Sequence, residues 1–129
     1  MRGERYRYYE LSGEEREALI EAVRRVLGRD DRILLAVVFG SFVELESFRD
    51  IDIAVYAVDM ELGEIFELSA RLEEEIKVPV DMLPLQELPP SFRHYILVNG
   101  LVVLERVAGL YEALISQALD ELMVMELAA

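Results

Sequence analysis

A continuous apolar run, Ile33–Phe39, constrains the fold of this chain more than any other feature. The run reads ILLAVVF, and its short length and its content of β-forming residues favour a buried strand. A second run, Ile51–Ala57, also predicts a strand, and Asp52 is the one charged residue inside it. Buried strands need other elements to cover their sheet, so the rest of the chain is expected to supply helices.

Apolar residues at helical spacing predict those helices. Ser12 and Glu15 have the S-x-x-E form of a capping box, and the helix behind them is expected to end at Gly28. Residues 42–49 predict a mixed segment with a possible helical turn. The remaining predicted elements are a helix over 61–77, a strand over 78–83, a short helix from 89–90 to 99–100, a strand over 101–105 and a helix over 108–126. This order predicts an α+β fold, with helices packed on a mixed β-sheet.

The length of 129 residues suits one domain, residues 1–129. Lys and Arg number 13 against 26 Asp and Glu, a net charge of −13, which disfavours a surface that tracks nucleic-acid phosphates. A basic partner or a metal-bridged anion suits this charge better. No apolar stretch is long enough to span a membrane, and we expect a cytoplasmic protein.

Two carboxylates, Asp50 and Asp52, lie two positions apart at the start of the second strand, so both are expected on the same face. Asp81 lies between Val80 and Met82 in another apolar strand. Carboxylates in apolar strands need a counter-ion, and a hard divalent cation with oxygen ligands is the natural candidate. The alternative is that the pair lies at a strand end and is solvated or bonded to Arg49.

Gly40 and Ser41 follow the first strand directly. Glycine allows the backbone to approach a ligand closely, and a serine hydroxyl with the following amides can bind a phosphate. An ordinary strand-to-loop turn is the alternative, because Gly-Ser is a frequent turn pair.

Residues 39–42 (FGSF), 49–55 (RDIDIAV) and 80–82 (VDM) together resemble the nucleotidyltransferase superfamily of DNA polymerase beta. More narrowly, they are similar to the minimal nucleotidyltransferase (MNT) family. The shared pattern is a strand, Gly-Ser, a loop, Asp-x-Asp on the next strand and a third Asp on a later strand, and it covers residues 33–83.

The resemblance implies a fold and a reaction. Gly40 and Ser41 would hold the triphosphate of a nucleotide, commonly ATP. Asp50 and Asp52 would bind two magnesium ions, and Asp81 would ligate one of them and help to activate the attacking hydroxyl. The reaction would be magnesium-dependent nucleotidyl transfer, giving an adenylylated product.

The family also implies a partner. MNT domains are typically paired with a helical HEPN protein in a toxin–antitoxin module, in which the MNT half is the antitoxin that adenylylates a protein acceptor. The apolar residues within 106–129 predict a C-terminal helix that packs on its own sheet or lies at an interface with that partner or with another copy of the chain.

A binding module without catalysis is the alternative function. Glu44 stands where the family has Arg or Lys, and residues 42–46 lack the usual Gly. A carboxylate there would repel a triphosphate, although Arg49 could supply a positive charge to the nucleotide site. In this alternative, the fold neutralises a HEPN partner by contact alone.

Overall fold

The computed structural model describes residues 8–128. In chain order the elements are β1 (Tyr9–Glu10), α1 (Gly13–Gly28), β2 (Ile33–Phe39), α2 (Ser41–Glu44), β3 (Ser47–Phe48), β4 (Ile51–Ala57), α3 (Leu62–Ile76), β5 (Val80–Pro84), a 3₁₀ turn (Leu85–Glu87), α4 (Pro90–Asn99), β6 (Leu101–Glu105) and α5 (Leu110–Ala128). Those parts of the predicted domain and C-terminal helix that fall on residues 1–7 or on Ala129 lie outside the described residues.

The main sheet has four strands in the order β5-β4-β2-β6. Strand β2 pairs antiparallel with β4 and with β6, whereas β4 pairs parallel with β5. A separate two-stranded ribbon joins β1 to β3. The predicted α+β fold with a mixed sheet is therefore confirmed.

Helices cover both faces of the sheet. On one face, Ile51, Ile53 and Val55 of β4 pack against α1 and α3. On the other face, Ala54 and Tyr56 pack against α4 and α5. Because side chains alternate along a strand, Asp52 shares the face of Ala54 and Tyr56. Its carboxylate therefore lies at the end of the layer between the sheet and α4.

Local signals in the sequence explain most of the element boundaries. The predicted capping box is present, because the Glu15 amide donates to Ser12 Oγ over 3.1 Å and the Ser12 amide donates to Glu15 Oε1 over 2.8 Å. Strand β5 begins at Val80, later than predicted, because Pro79 has no amide hydrogen for the ladder. The Pro79 carbonyl instead accepts from the Ile51 amide at 2.9 Å. The β5 strand lies at an edge of the sheet, the position in which a proline is tolerated.

Two other segments differ in extent from the predicted elements. The C-terminal helix begins at Leu110 and runs to Ala128. Residues 42–49 form more than a helical turn, because the short helix α2 is followed by β3, whose pairing with β1 involves residues distant in the chain. In residues 8–128, no helix is both long enough and apolar enough to cross a membrane.

Candidate active site

The predicted carboxylates and the Gly40–Ser41 turn meet at one end of the strands, where β2 ends and where β4 and β5 begin. In the ladder register, Asp52 is paired with Phe39 on one side and with Asp81 on the other. Asp50 lies just before the first residue of β4. The parallel pairing of β4 with β5 therefore brings together carboxylates from two segments that are well separated in the sequence.

Gly40 is adapted to this edge by its backbone and by its lack of a side chain. Its φ of 80° and ψ of −152° fall in a region that essentially only glycine adopts. A Cβ atom built at this position would overlap with Asp52 Oδ2 and would lie 3.4 Å from Asp52 Cγ. A residue with a side chain would therefore both strain the turn and displace the Asp52 carboxylate.

Asp52 is the most perturbed carboxylate of the site. Burial, together with the smaller effect of the negative charges of Asp50 and Asp81, raises its pKa to about 6. Among residues 8–128, none of the three carboxylates forms a salt bridge with Lys, Arg or His. A partly buried carboxylate beside two like charges is suited to a cation with oxygen ligands, so these residues fit the implied metal.

Asp81 is less buried than its apolar neighbours predicted. Its side chain is exposed, because β5 is the edge strand of the sheet. The desolvation expected for carboxylates in apolar strands therefore applies to Asp52 and does not apply to Asp81. Within the described residues, no three His, Cys, Asp or Glu side chains already form a metal-binding group.

Ser41 begins the short helix α2, directly after Gly40. The first amides of a helix have no intrahelical acceptor, and in this helix the Gly40 carbonyl accepts from Val43 and Glu44, both at 3.0 Å. The amides of Ser41 and Phe42 thus lack acceptors within the helix and lie at the same strand end as Asp52. Such amides can donate to a phosphate.

Arg49 is not directed at the carboxylates. Its side chain is exposed, and its guanidinium lies 5.9 Å from the centre of the Tyr8 ring. No ion pair in the described part of the chain links Arg49 to Asp50 or Asp52. Its role at a nucleotide therefore stays a prediction.

Arg16 holds the segment that departs from the family pattern, and sequence reasoning missed it. The Arg16 guanidinium donates to the carbonyl of Phe42, to that of Leu45 at 3.2 Å and to that of Glu46 at 2.7 Å. It also lies 4.8 Å from the centre of the Phe42 ring. These contacts give residues 42–46 a defined path without the glycine of the family pattern. The partners are 26 to 30 positions apart, so no local spacing could have indicated them.

Helix α4 forms a wall beside the carboxylates. The Phe92 ring meets the Phe39 ring edge to face, with centroids 5.9 Å apart, and Phe39 is the register partner of Asp52. One turn further along α4, the Tyr95 hydroxyl donates to Glu44. Sequence reasoning assigned no role to either aromatic residue, since their partners come from distant segments.

Comparisons with known proteins show which family and which folds this chain is similar to. A family model described as polymerase beta, nucleotidyltransferase, matches residues 21–108, which include all the carboxylates of the site. No match was found among curated proteins.

Several solved structures share the fold. A crystal structure of the toxin–antitoxin MntA–HepT matches at 18% identity with a TM-score of 0.72, covering 87% of this chain and 91% of the other. A toxin–antitoxin crystal structure with AMP-PNP matches at 19% identity with a TM-score of 0.75, covering 84% and 90%. A structure of a tri-AMPylated Shewanella oneidensis HEPN toxin in complex with an MNT antitoxin matches at 17% identity with a TM-score of 0.73, covering 88% and 91%. At these identities, the likeness is one of fold.

Proposed function

Because this chain belongs to the polymerase beta nucleotidyltransferase family, we propose that it transfers an adenylyl group from ATP to a protein acceptor. The observation that carries this proposal is the pairing of Asp52 with Asp81 beside Gly40. A turn that only glycine fits leaves room for a carboxylate whose pKa is already raised by burial and by two like charges. A site for divalent cations and an anionic substrate explains why the energetically unfavourable carboxylate of Asp52 is present.

The roles of the residues follow from their positions. The amides after Gly40 and the Ser41 hydroxyl would bind the triphosphate, and Asp50 and Asp52 would hold two magnesium ions. When bound, magnesium would neutralise the phosphate charge that builds up on the leaving pyrophosphate. The acceptor hydroxyl would form a new bond to the α-phosphorus while the bond to pyrophosphate breaks, and Asp81, which is exposed, could accept the hydroxyl proton.

We further propose that the acceptor is a HEPN-type helical protein and that the chain is its antitoxin. The fold is similar to chains of toxin–antitoxin structures, one of which contains a tri-AMPylated HEPN toxin. The net charge of −13 suits a basic partner, and the exposed apolar end of α5 suits a helical one.

Titration calorimetry of ATP with and without magnesium tests the proposed function. Binding should require magnesium and should be lost in the Asp50→Asn/Asp52→Asn double variant, because the cation loses two of its ligands. Incubation with ATP and a purified HEPN protein should then raise the mass of the HEPN protein by one or more adenylyl groups. No nucleotide binding by the wild type would contradict the proposal.

A binding module without catalysis is the second candidate, favoured by the single observation that a carboxylate occupies position 44. This candidate predicts neutralisation of the HEPN toxin with no change in its mass and with equal strength in the double variant. Adenylyl transfer predicts that the double variant fails to neutralise the HEPN toxin at substoichiometric amounts. The same preparation therefore separates the two functions.

The end of α5 should bind the partner. Leu119 and Met123 lie one turn apart and are 42% and 59% exposed, and Leu127 follows after another turn at 86%. Apolar side chains at this spacing on an uncovered helix are typical of a helix-in-groove or helix-on-helix interface. We expect the Met123→Glu/Leu127→Glu variant to bind a HEPN protein on the order of tenfold more weakly or worse, since a charge would be desolvated at the interface.

The melting temperature of the isolated Met123→Glu/Leu127→Glu variant should stay close to that of the wild type, because both side chains are already exposed. Glu112→Gln, at an exposed position near the start of the same helix, is the matched control and should bind normally. Calorimetry with a HEPN protein measures both. Unchanged affinity in the double variant would show that the interface lies elsewhere.

A further inference from the structure

Glu44 adds a negative charge close to the residues that are proposed to bind the triphosphate. It is the last residue of α2, and its amide donates to the Gly40 carbonyl over 3.0 Å. The carboxylate is exposed and belongs to a segment that Arg16 holds in place through the carbonyls of Phe42 and Leu45. The backbone of Glu44 is therefore fixed beside the site, and the direction of its side chain decides where the charge lies.

The side chain is directed toward α4. The Tyr95 hydroxyl donates a hydrogen bond to Glu44 Oε2, and this bond is the main cause of a raised pKa of Tyr95. The two residues are 51 positions apart in the chain, so this contact joins the end of α2 to α4. The carboxylate of Glu44 is thereby held at the side of α4.

The position of Tyr95 is well defined because several hydrogen bonds hold α4 in place. Arg93, two residues before it, is 8% exposed and donates to the Leu88 carbonyl at 2.9 Å and to the Glu121 carboxylate on α5. One turn after Tyr95, the Asn99 side-chain amide donates to the Tyr95 carbonyl at 3.0 Å. A hydroxyl carried on such a helix can restrain a mobile glutamate side chain.

We propose that Tyr95 is a positioning residue that holds the Glu44 carboxylate against α4 and so keeps its charge away from the triphosphate of a bound nucleotide. This inference rests on the proposed function of the Gly40–Ser41 turn. It explains how the chain can carry a carboxylate at a position where its resemblance to the family predicts a basic residue. The hydrogen bond supplies no positive charge, but it keeps the repulsive charge of Glu44 away from the phosphates.

Removal of the hydroxyl should therefore weaken triphosphate binding. In Tyr95→Phe the ring remains, but Glu44 can turn toward the phosphates, and repulsion should lower the affinity for magnesium and AMP-PNP by about 3- to 10-fold at low salt. Affinity for AMP should fall less, because AMP carries less charge. In Glu44→Gln/Tyr95→Phe, the charge is gone and the affinity should return to the wild-type value or exceed it.

Titration calorimetry with AMP-PNP and with AMP tests the inference. The proteins compared are the wild type, Tyr95→Phe, Glu44→Gln and the double variant, with melting temperatures as a check on folding. A wild type that does not bind AMP-PNP overturns the proposed function of the site and this inference with it. A wild type that binds, with Tyr95→Phe equally tight, overturns this inference alone. Equal weakness of Tyr95→Phe and of the double variant also overturns it, because a purely structural role of Tyr95 would not be rescued by removing the charge.

Discussion

Asp52→Asn is expected to abolish magnesium-dependent nucleotide binding and to make the metal-free protein more stable. Asparagine keeps the shape of the side chain but supplies no negative charge to a cation, and Asp52 lies at the centre of the cluster between Asp50 and Asp81. We expect adenylyl transfer to fall on the order of a hundredfold or more, the scale on which losing one group that stabilises transition-state charge lowers turnover.

The gain in stability follows from the raised pKa of Asp52. The native state favours its protonated form up to about pH 6, whereas an unfolded chain releases the proton near the ordinary value of 3.8. As pH rises from about 4 to about 6, this group therefore lowers the free energy of unfolding, and above pH 6 the full penalty is present. Asparagine carries no such penalty, so the variant should be about 1–3 kcal/mol more stable at pH 7.5 and no more stable near pH 4.

Thermal unfolding without metal at several pH values measures this difference. Asp81→Asn is the matched control, because Asp81 belongs to the same cluster but is exposed. It should impair transfer with a smaller gain in stability. Added magnesium should raise the melting temperature of the wild type at pH 7.5 and leave that of Asp52→Asn unchanged. A less stable Asp52→Asn at pH 7.5 would show that another group of the protein stabilises the Asp52 carboxylate, and would contradict its role as a cation ligand.

Gly40→Ala is expected to damage both the fold and the site. The backbone at position 40 has a positive φ that side-chain-bearing residues avoid, and the new Cβ would overlap with the Asp52 carboxylate. Strain and displacement together should lower the free energy of unfolding by about 2–4 kcal/mol. Because Asp52 must move, nucleotide binding should be lost as well.

Substitutions at two other glycines separate the effect of backbone strain from the effect of displacing Asp52. Gly109 has a similar φ of 87° but nothing within 4 Å of an added Cβ, so Gly109→Ala should cost about 1–2 kcal/mol and leave nucleotide binding intact. Gly63 lies in α3 with open space around it, and Gly63→Ala should be neutral or stabilising by up to about 1 kcal/mol. Chemical denaturation and calorimetry measure the set. Normal nucleotide affinity in Gly40→Ala would contradict the assigned place of the nucleotide.

The elements that could be predicted from the sequence are those whose cause is local. The apolar runs Ile33–Phe39 and Ile51–Ala57 became β2 and β4, because their residues favour a strand in any buried setting. The capping box at Ser12 also needs only neighbouring residues. By contrast, the ribbon depends on the pairing of β1 with a distant segment, β3, and no local pattern specifies which segments pair.

The candidate site divides in the same way. Carboxylates in apolar strands and a Gly-Ser turn favour a cation and a phosphate, whereas nucleotidyl transfer is implied only by the resemblance to the family. The position of Arg49 before the Asp pair suggested a place near the nucleotide, and only the structure shows that its guanidinium lies beside the Tyr8 ring. Its role at a nucleotide stays a prediction. Arg16 and Tyr95 show the converse, since neither belongs to a motif and each acts on a segment far from it in the chain.

The sequence by itself therefore determined most of the segments that form helices and strands, and which residue types are available for binding a cation and a phosphate. Only the tertiary structure decided that Asp52 lies between Phe39 and Asp81, that Asp81 is exposed at a sheet edge, and that Glu44 is directed toward α4. The physical reason is that periodicity and propensity act within a few residues. Register, burial and side-chain direction instead depend on the free energy of contacts between residues that folding alone brings together.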